Sequence, residues 1–359
     1  MEKKKSDNTI TIKDIASICG VSISTVSNVL NGKTKKVSQA VADKIMDTVE
    51  KTGYMPNYLA KNLRASSTKT IGVIAEDLIL FSTTPMIEGL MQRCEEKGYN
   101  VVIENMRLFG RWDDKWMHDE ALFQSALAPI MNKMEALNVD GVVYIAGYEH
   151  KVSLNYKSDK VPLVFVYATN NDKDIPCFRL DDEDGGYIAY KYLQSKGHKK
   201  IGIIAGEPEN PHTVNRLRGI QRAMFEEGTL FDPSMVQYQT WNKQGGYNGM
   251  EALKDKDITA VFCLSDLIAS GVYEYMLQHG KEPGKDLSIM GYDNHEVSAL
   301  LYPSLSTVAL ALEKMGYEAV SRLIRSCEKE DIESDSISDV RIAGEIIERD
   351  SVIDITNSL

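Results

Sequence analysis

Thr11-Ile12-Lys13-Asp14-Ile15-Ala16-Ser17-Ile18-Cys19-Gly20-Val21-Ser22-Ile23-Ser24-Thr25-Val26-Ser27-Asn28-Val29-Leu30 reads as two short helices joined by a tight turn. Ile12, Ile15, Ala16 and Cys19 recur at helical spacing, and Asp14 stands three residues after Thr11 in the position of a capping-box acid. Gly20 ends this helix, because glycine accepts the left-handed conformation of a tight turn. Ser22 then caps a second helix whose Val26, Val29 and Leu30 face inward. A third helix is expected from about Ser38, and Tyr54-Met55-Pro56-Asn57 breaks the pattern before a segment ending in Leu63-Arg64.

The second helix leaves Ser22, Ile23, Ser24, Ser27 and Asn28 on its outer side. Two readings fit. The serines are ordinary solvent-facing polar residues, or they are small groups that approach phosphates and base edges in a major groove, where Asn pairs bidentately with adenine. Charge favours the second. Met1 to Arg64 carries eleven Lys and Arg against six Asp and Glu, a net +5, while the remainder holds thirty against forty-six, a net −16, within a chain of −11. A basic module gains from phosphates through counterion release, and an acidic body is repelled by a duplex. Lys3 to Lys5 fit either a solvated tail or a DNA contact.

The order Ala16, Gly20-Val21-Ser22, Thr25-Val26-Ser27, Val29-Leu30-Asn31-Gly32, Val37-Ser38, Gly53-Tyr54 and Pro56-Asn57 resembles the head of lactose-repressor (LacI/GalR) family transcription regulators. The resemblance implies that the second helix lies in the major groove. It also implies that the segment after the Pro-Asn pair forms a hinge helix on the operator, with Leu63 wedged into the minor groove. The DNA-binding candidates are Thr11, Ser22, Ile23, Ser24, Thr25, Ser27, Asn28, Asn31, Tyr54, Asn57, Ala60, Lys61, Leu63 and Arg64. A helix of about eight residues is marginal alone in water, which suits a switch that two copies stabilise in a kinked, widened groove. A passive connector explains Ser66-Ser67-Thr68 equally well.

From Thr70 the chain alternates β-rich and helical stretches. Ile71–Ala75, Val101–Ile103, Val142–Ile145 and Leu163–Val166 read as buried parallel strands, and Lys200–Gly206, Ala260–Leu264 and Leu287–Gly291 repeat the theme as a second α/β unit. Two similar lobes imply a cleft. Ligands of open α/β sheets sit beyond the carboxyl ends of strands, so Asp77, Phe81, Ser82, Tyr167, Asp266 and Asp293 are candidates there, joined by Arg216 and Trp241 from what read as longer loops. Carboxylates, an arginine and a tryptophan suit a polyhydroxylated ligand, through paired hydrogen bonds and an aromatic plane against C–H faces. Asp266 and Asp293 as helix caps, and Arg216 as a plain ion-pair partner, remain alternatives.

The resemblance continues through Asp181–Gly186, Gly197–Gly202, Arg216–Gly219, Ser265–Gly271, Gly291–Asn294 and Pro303–Val308, with Glu348–Ser351 as its final strand. It implies that Arg216, Asp293, Trp241 and Asp77 contact an effector, and that the lobes move about crossovers near Leu180, Val308 and Arg341. The pocket departs from the family at Leu80-Phe81-Ser82, Ser265 and Leu310. Residues 107–119, with Trp112 and Trp116, read as an insertion that covers the cleft, offers a partner surface or forms a surface excursion.

The expected fold class is therefore α/β, an all-α helix-turn-helix head plus a two-lobed periplasmic-binding-protein-like body with two parallel sheets. The head spans 1–56, a hinge and linker 57–69, and the body 70–359, with lobe 1 at about 70–180 and 309–340 and lobe 2 at about 181–308 and 341–359. The expected function is a repressor of carbohydrate-related genes that binds a pseudo-palindromic operator as a homodimer under control of a small molecule; control by a protein partner is the alternative. The ending at Leu359 carries no heptad tail for a tetramer like that of the lactose repressor.

An enzyme is not expected: Gly-rich phosphate loops, GxSxG, HExxH and paired cysteines are missing, and the six His are dispersed. No cofactor or metal is expected. No apolar run approaches the roughly 20 residues of a membrane helix, and the first residues lack the apolar core of a signal peptide, which together predict a cytoplasmic protein. Five scattered cysteines argue for free thiols rather than a disulfide framework.

Overall fold

A computed structural model describes residues 10–30, 32–34, 37–55, 67–153, 161–172, 174–330 and 338–356. The chain divides into two compact units, Met1–Thr68 and Lys69–Leu359. In the first, helix α1 (Ile12–Cys19) begins where Thr11 donates its backbone N–H (2.8 Å) and its hydroxyl (2.7 Å) to the Asp14 carboxylate. Gly20, at φ 70°, turns the chain, and the Val21 N–H closes on Ala16 O at 3.0 Å. Helix α2 (Ile23–Leu30) starts with the Thr25 N–H on Ser22 Oγ at 3.1 Å. Helix α3 (Gln39–Thr52) crosses both, and Lys44 Nζ donates to the otherwise orphaned Cys19 carbonyl at 3.1 Å. Ile15, Val26 and Ile45 are fully buried at the centre of this small core.

The second unit is two-lobed. One lobe holds a six-stranded parallel sheet in the order β11-β5-β4-β3-β1-β2, built from β1 (Thr70–Ala75), β2 (Asn100–Asn105), β3 (Gly141–Lys151), β4 (Leu163–Thr169), β5 (Cys177–Leu180) and β11 (Asp339–Ile342). The other holds a four-stranded parallel sheet in the order β7-β6-β8-β9, from β6 (Ile201–Ala205), β7 (Val236–Tyr238), β8 (Ala260–Cys263) and β9 (Ser288–Met290). An antiparallel pair, β10 (Thr307–Ala309) with β12 (Glu345–Ile347), accompanies the chain crossings between them.

Sequence patterning located the long strands and misplaced some details. Val101–Ile103 is not a buried strand: β2 is the sheet edge and its side chains are half-buried or exposed. The final strand is Glu345–Ile347, and residues 348–351 follow it outside any strand. The short strands β5 and β7 escaped notice because four or three residues carry too little periodicity. Cys19, Cys94, Cys177 and Cys263 are buried free thiols, and Cys327 is half-buried and free. Among the described residues no helix is long and apolar enough to cross a membrane.

Residues 107–119 do not form a loose excursion. They fold into a helix, Leu108–Trp112, and a 3₁₀ turn, Asp113–His118, anchored by buried Leu108 and Trp116. The Trp116 ring lies edge-on to Phe109 at 5.4 Å and stacks near Phe123 at 6.2 Å. This apolar anchoring joins the segment to the core of the first lobe.

Two glycines bring the second lobe's site together. A Cβ on Gly219 would lie 1.9 Å from Glu183 O, and one on Gly186 would lie 2.2 Å from Arg216 O. Helices Asp182–Ser195 and Pro211–Glu226 therefore meet backbone to backbone, which lets short Asp182 reach Arg216.

Candidate functional site

Arg216 is not in a loop, as its sequence surroundings suggested, but in the helix Pro211–Glu226, where it is 2% exposed. Its Nε donates to Asp182 Oδ1 at 2.8 Å and its Nη1 to the Leu264 carbonyl at 2.5 Å, with Asp293 Oδ1 at 3.6 Å from Nη1. The guanidinium lies 3.6 Å from the centroid of the Tyr292 ring and 5.7 Å from that of Trp241. Asp182 is fully engaged: Oδ1 also accepts from Tyr292 OH at 3.3 Å, and Oδ2 lies 2.6 Å from His212 Nδ1. Burial alone would raise the Asp182 carboxyl, yet Arg216 and His212 hold it well below the usual carboxylate range. Burial works against the Arg216 charge, and Asp182 more than restores it.

Asp266 and Asp293 form the other half. Thr307 Oγ1 donates to Asp266 Oδ1 at 2.7 Å and the His295 N–H to Oδ2 at 2.8 Å. Burial, then the charge of Asp293, pushes Asp266 up to about 8; burial also raises Asp293, against Arg216. Neither caps a helix. Ser265 caps Asp266–Gln278 and His295 caps Glu296–Leu300. Asp293 sits at φ 113° and Tyr167 at φ 61°, conformations that side chains other than glycine adopt only when their surroundings enforce them.

Three contacts join the lobes. The Glu149 N–H reaches His212 Nε2 at 3.4 Å, the Tyr167 and His212 rings lie 5.5 Å apart, and those of Phe81 and His295 lie 5.4 Å apart. Tyr167 is buried with Asp182, Arg216, Asp293 and Glu149 as its charged neighbours. Tyr167, Arg216, Trp241, Asp266 and Asp293 thus gather in one region. Trp241 precedes the helix Lys243–Leu253 and lies flat on Gly206, where a Cβ would fall 1.9 Å from its ring. Ser82 and Asp77 are spent within the first lobe: Ser82 Oγ donates to Gly147 O at 2.5 Å, and Asp77 accepts from the backbone N–H groups of Ile79 (3.4 Å) and Gly110 (3.3 Å).

Sequence reasoning did not single out Asp182, His212, Glu149 or Arg179. Arg179 Nη1 donates to Glu149 Oε1 at 2.6 Å and its Nε to Asp339 Oδ1 at 2.7 Å, a link across 160 positions that no local pattern encodes. The usable signals were Gly185-Gly186 and Gly219, which marked a close helix approach without naming what it would join.

In the head, Ser22, Ile23, Ser24 and Asn28 are exposed on α2, while Thr25 and Ser27 are half-buried. Ser22 Oγ lies 2.7 Å from Ser24 Oγ and 2.8 Å from Thr25 Oγ1, so the start of α2 presents a cluster of hydroxyls. Thr11 is exposed at the start of α1, and Tyr54 packs half-buried against the head core. Asn31, Asn57, Ala60, Lys61, Leu63 and Arg64 lie outside the described residues.

Residues 11–57 match the bacterial regulatory proteins of the lacI family, and residues 190–352 match the periplasmic binding protein-like domain. The chain is 33% identical to the ribose operon repressor of Haemophilus influenzae over 88% of its own length and 91% of that protein's. The chain belongs to the LacI family. The relation extends to the transcriptional repressor PurR of the same organism, 30% identical over 95% of this chain and 98% of that protein, and to catabolite control protein A of Priestia megaterium, 29% identical over 90% and 95%. Among solved structures, a lac repressor dimer bound to operator and the anti-inducer ONPF aligns with a TM-score of 0.73 at 20% identity, covering 96% of this chain and all of that one. A CelR–cellobiose complex aligns with a TM-score of 0.60 at 22% identity over 95% and 99%. This LacI-family protein therefore has the helical head and binding-protein-like body of transcription regulators.

Proposed function

We propose that this chain is a repressor that binds a pseudo-palindromic operator as a homodimer and that its operator affinity is set by a small molecule, a carbohydrate, held between the lobes of its body. The observation that carries this reading is the cleft itself: a buried Arg216–Asp182 pair floored by Tyr292 and Trp241, with Tyr167, Asp266 and Asp293 beside it and lobe-to-lobe contacts around it. Charged groups that pair with hydroxyls and an aromatic plane suit a polyhydroxylated ligand. On the DNA side, the hydroxyl and amide face of α2 fits a major groove, and two heads of a dimer fit two half-sites. The segment from Asn57 to Arg64, with Leu63 as minor-groove wedge, is the element through which a lobe movement reaches the DNA.

Selection of bound duplexes from a random library tests the first half. A consensus with two inverted half-sites supports it, and binding without sequence preference sinks it. Titrating sugars during operator binding tests the second: an effector shifts operator affinity by a coupling of about 1–3 kcal/mol, and Asp293→Ala abolishes that shift.

A further inference from the structure

The cleft has a charge balance and a set of unused hydrogen-bonding groups that restrict its ligand more tightly than the word carbohydrate does. Both guanidinium groups described above are spent. Arg216 is held by Asp182, with Asp293 nearby, and Arg179 by Glu149 and Asp339. His212 has Nδ1 against Asp182 and Nε2 facing the Glu149 N–H, the arrangement of a neutral imidazole that donates from one nitrogen and accepts at the other. Carboxylates thus outnumber the cations that meet them, and an incoming anion would stand among like charges.

Three buried polar atoms around this cluster have no partner: Glu149 Oε2, Thr213 Oγ1 and Trp241 Nε1. Glu149 is 5% exposed and touches His212, Thr213 is fully buried next to His212 in the chain, and Trp241 faces Arg216. Leaving a buried carboxylate oxygen, a hydroxyl and an indole N–H unpaired is costly, so each calls for a complementary group. The indole only donates, the carboxylate only accepts, and the threonine does either. A hydroxyl satisfies all three, since it is donor and acceptor at once. A phosphate or carboxylate satisfies the indole and threonine but meets Glu149 lone pair to lone pair.

We propose that the cleft selects an uncharged, hydroxyl-rich molecule, with Glu149 Oε2 accepting one of its hydroxyls and Thr213 and Trp241 completing its polar contacts, and that it rejects the phosphorylated form. The proposal rests on reading the cleft as the effector site. Its test is calorimetry and thermal melting of the full-length protein against neutral pentoses, hexoses and pentitols and, in parallel, their phosphate esters. At least one neutral compound binds, and its ester binds about 100-fold more weakly or not at all, the scale expected for burying an unpaired charge. Glu149→Gln weakens the neutral ligand about tenfold, with the ligand-free melting transition showing that the variant is folded. Esters binding as well as or better than the parent sugars, unchanged affinity in Glu149→Gln, or a panel in which no neutral compound binds each overturn it. Arg216→Ala separates the two failures: esters whose binding it erases leave the cleft reading standing and remove only the neutral-ligand rule, whereas ligands indifferent to it bind elsewhere and remove the cleft reading itself.

Discussion

Arg216 donates from Nε to Asp182 Oδ1 over 2.8 Å, and these two residues are 2% and 1% exposed. Such a pair stabilises little by itself, because desolvation offsets the Coulombic gain; its force lies in the cost of breaking it. His212 and Tyr292 use the remaining capacity of Asp182, so four side chains from two helices and the loop after β9 are fixed by one carboxylate. The ligand surface of the second lobe is thereby rigid before any ligand arrives.

Asp182→Ala should therefore destabilise the body by about 3–5 kcal/mol, since it leaves the Arg216 charge buried without its partner. Chemical denaturation checks this. A loss below about 1 kcal/mol would show that Asp293 takes over as counter-ion. The double variant Asp182→Ala with Arg216→Met should recover part of the loss, because it removes the stranded charge as well.

Asp266 gives the body a pH signature. Its carboxyl is raised from the ordinary 3.8 to about 8, so over that interval the folded chain holds a proton that the unfolded chain releases. Its contribution is fully present below about 3.8 and is lost as pH rises through about 8, so it lowers stability progressively across the window. Asp293, shifted in the same direction, adds to it, whereas the depressed Asp182 contributes only a loss in strong acid. Asp266→Asn should flatten the urea midpoint against pH across the window; a slope equal to that of the parent protein would contradict the assignment.

The head was almost wholly legible because its signals are local. Thr11 and Asp14, Gly20, Ser22 and Gly53 act within a few residues, and helical spacing gave the core of Ile15, Ala16 and Val26. The α/β body was legible through its apolar strands. The cleft was only half legible. Residues following strands could be nominated, but Asp182 with Arg216, Glu149 with Arg179 and Arg179 with Asp339 are pairings over 34, 30 and 160 positions, made by topology rather than by pattern. Asp77 and Ser82 show the converse: polar residues after a strand that serve backbone groups of their own lobe.

Gly219→Ala should cost about 1–3 kcal/mol of stability, the range for overpacking a filled interior, because its Cβ falls 1.9 Å from the Glu183 carbonyl. The helices can give way only by separating, which pulls Asp182 from Arg216. Ligand affinity should fall with stability in this variant. A melting temperature within 1 °C of the parent, roughly the noise of such a measurement against a several-degree expectation, would mean the helices have slack that their packing denies.

Trp116→Ala tests whether residues 107–119 belong to the core of the first lobe. The indole packs with Phe109, Phe123 and His150, so its removal should cost about 3–5 kcal/mol and free the segment to proteolysis. A segment that merely rested on the surface would lose little stability and would already be cut in the parent protein. Limited proteolysis of parent and variant, run beside denaturation, distinguishes the two.

On α2, exposed Asn28 and Ser24 belong to the face offered to DNA, while Thr25 beside them also caps through Ser22. Asn28→Ala should weaken operator binding by about 1–3 kcal/mol if it pairs with a base edge, and should leave nonspecific binding and its salt dependence unchanged. A phosphate-contacting residue behaves differently, since its loss weakens every sequence alike. Salt titrations of operator and scrambled duplexes with the parent and with Asn28→Ala decide between them: equal losses on both duplexes would remove Asn28 from base reading and leave the hydroxyls of Ser22, Ser24 and Thr25 as the groups that choose the site.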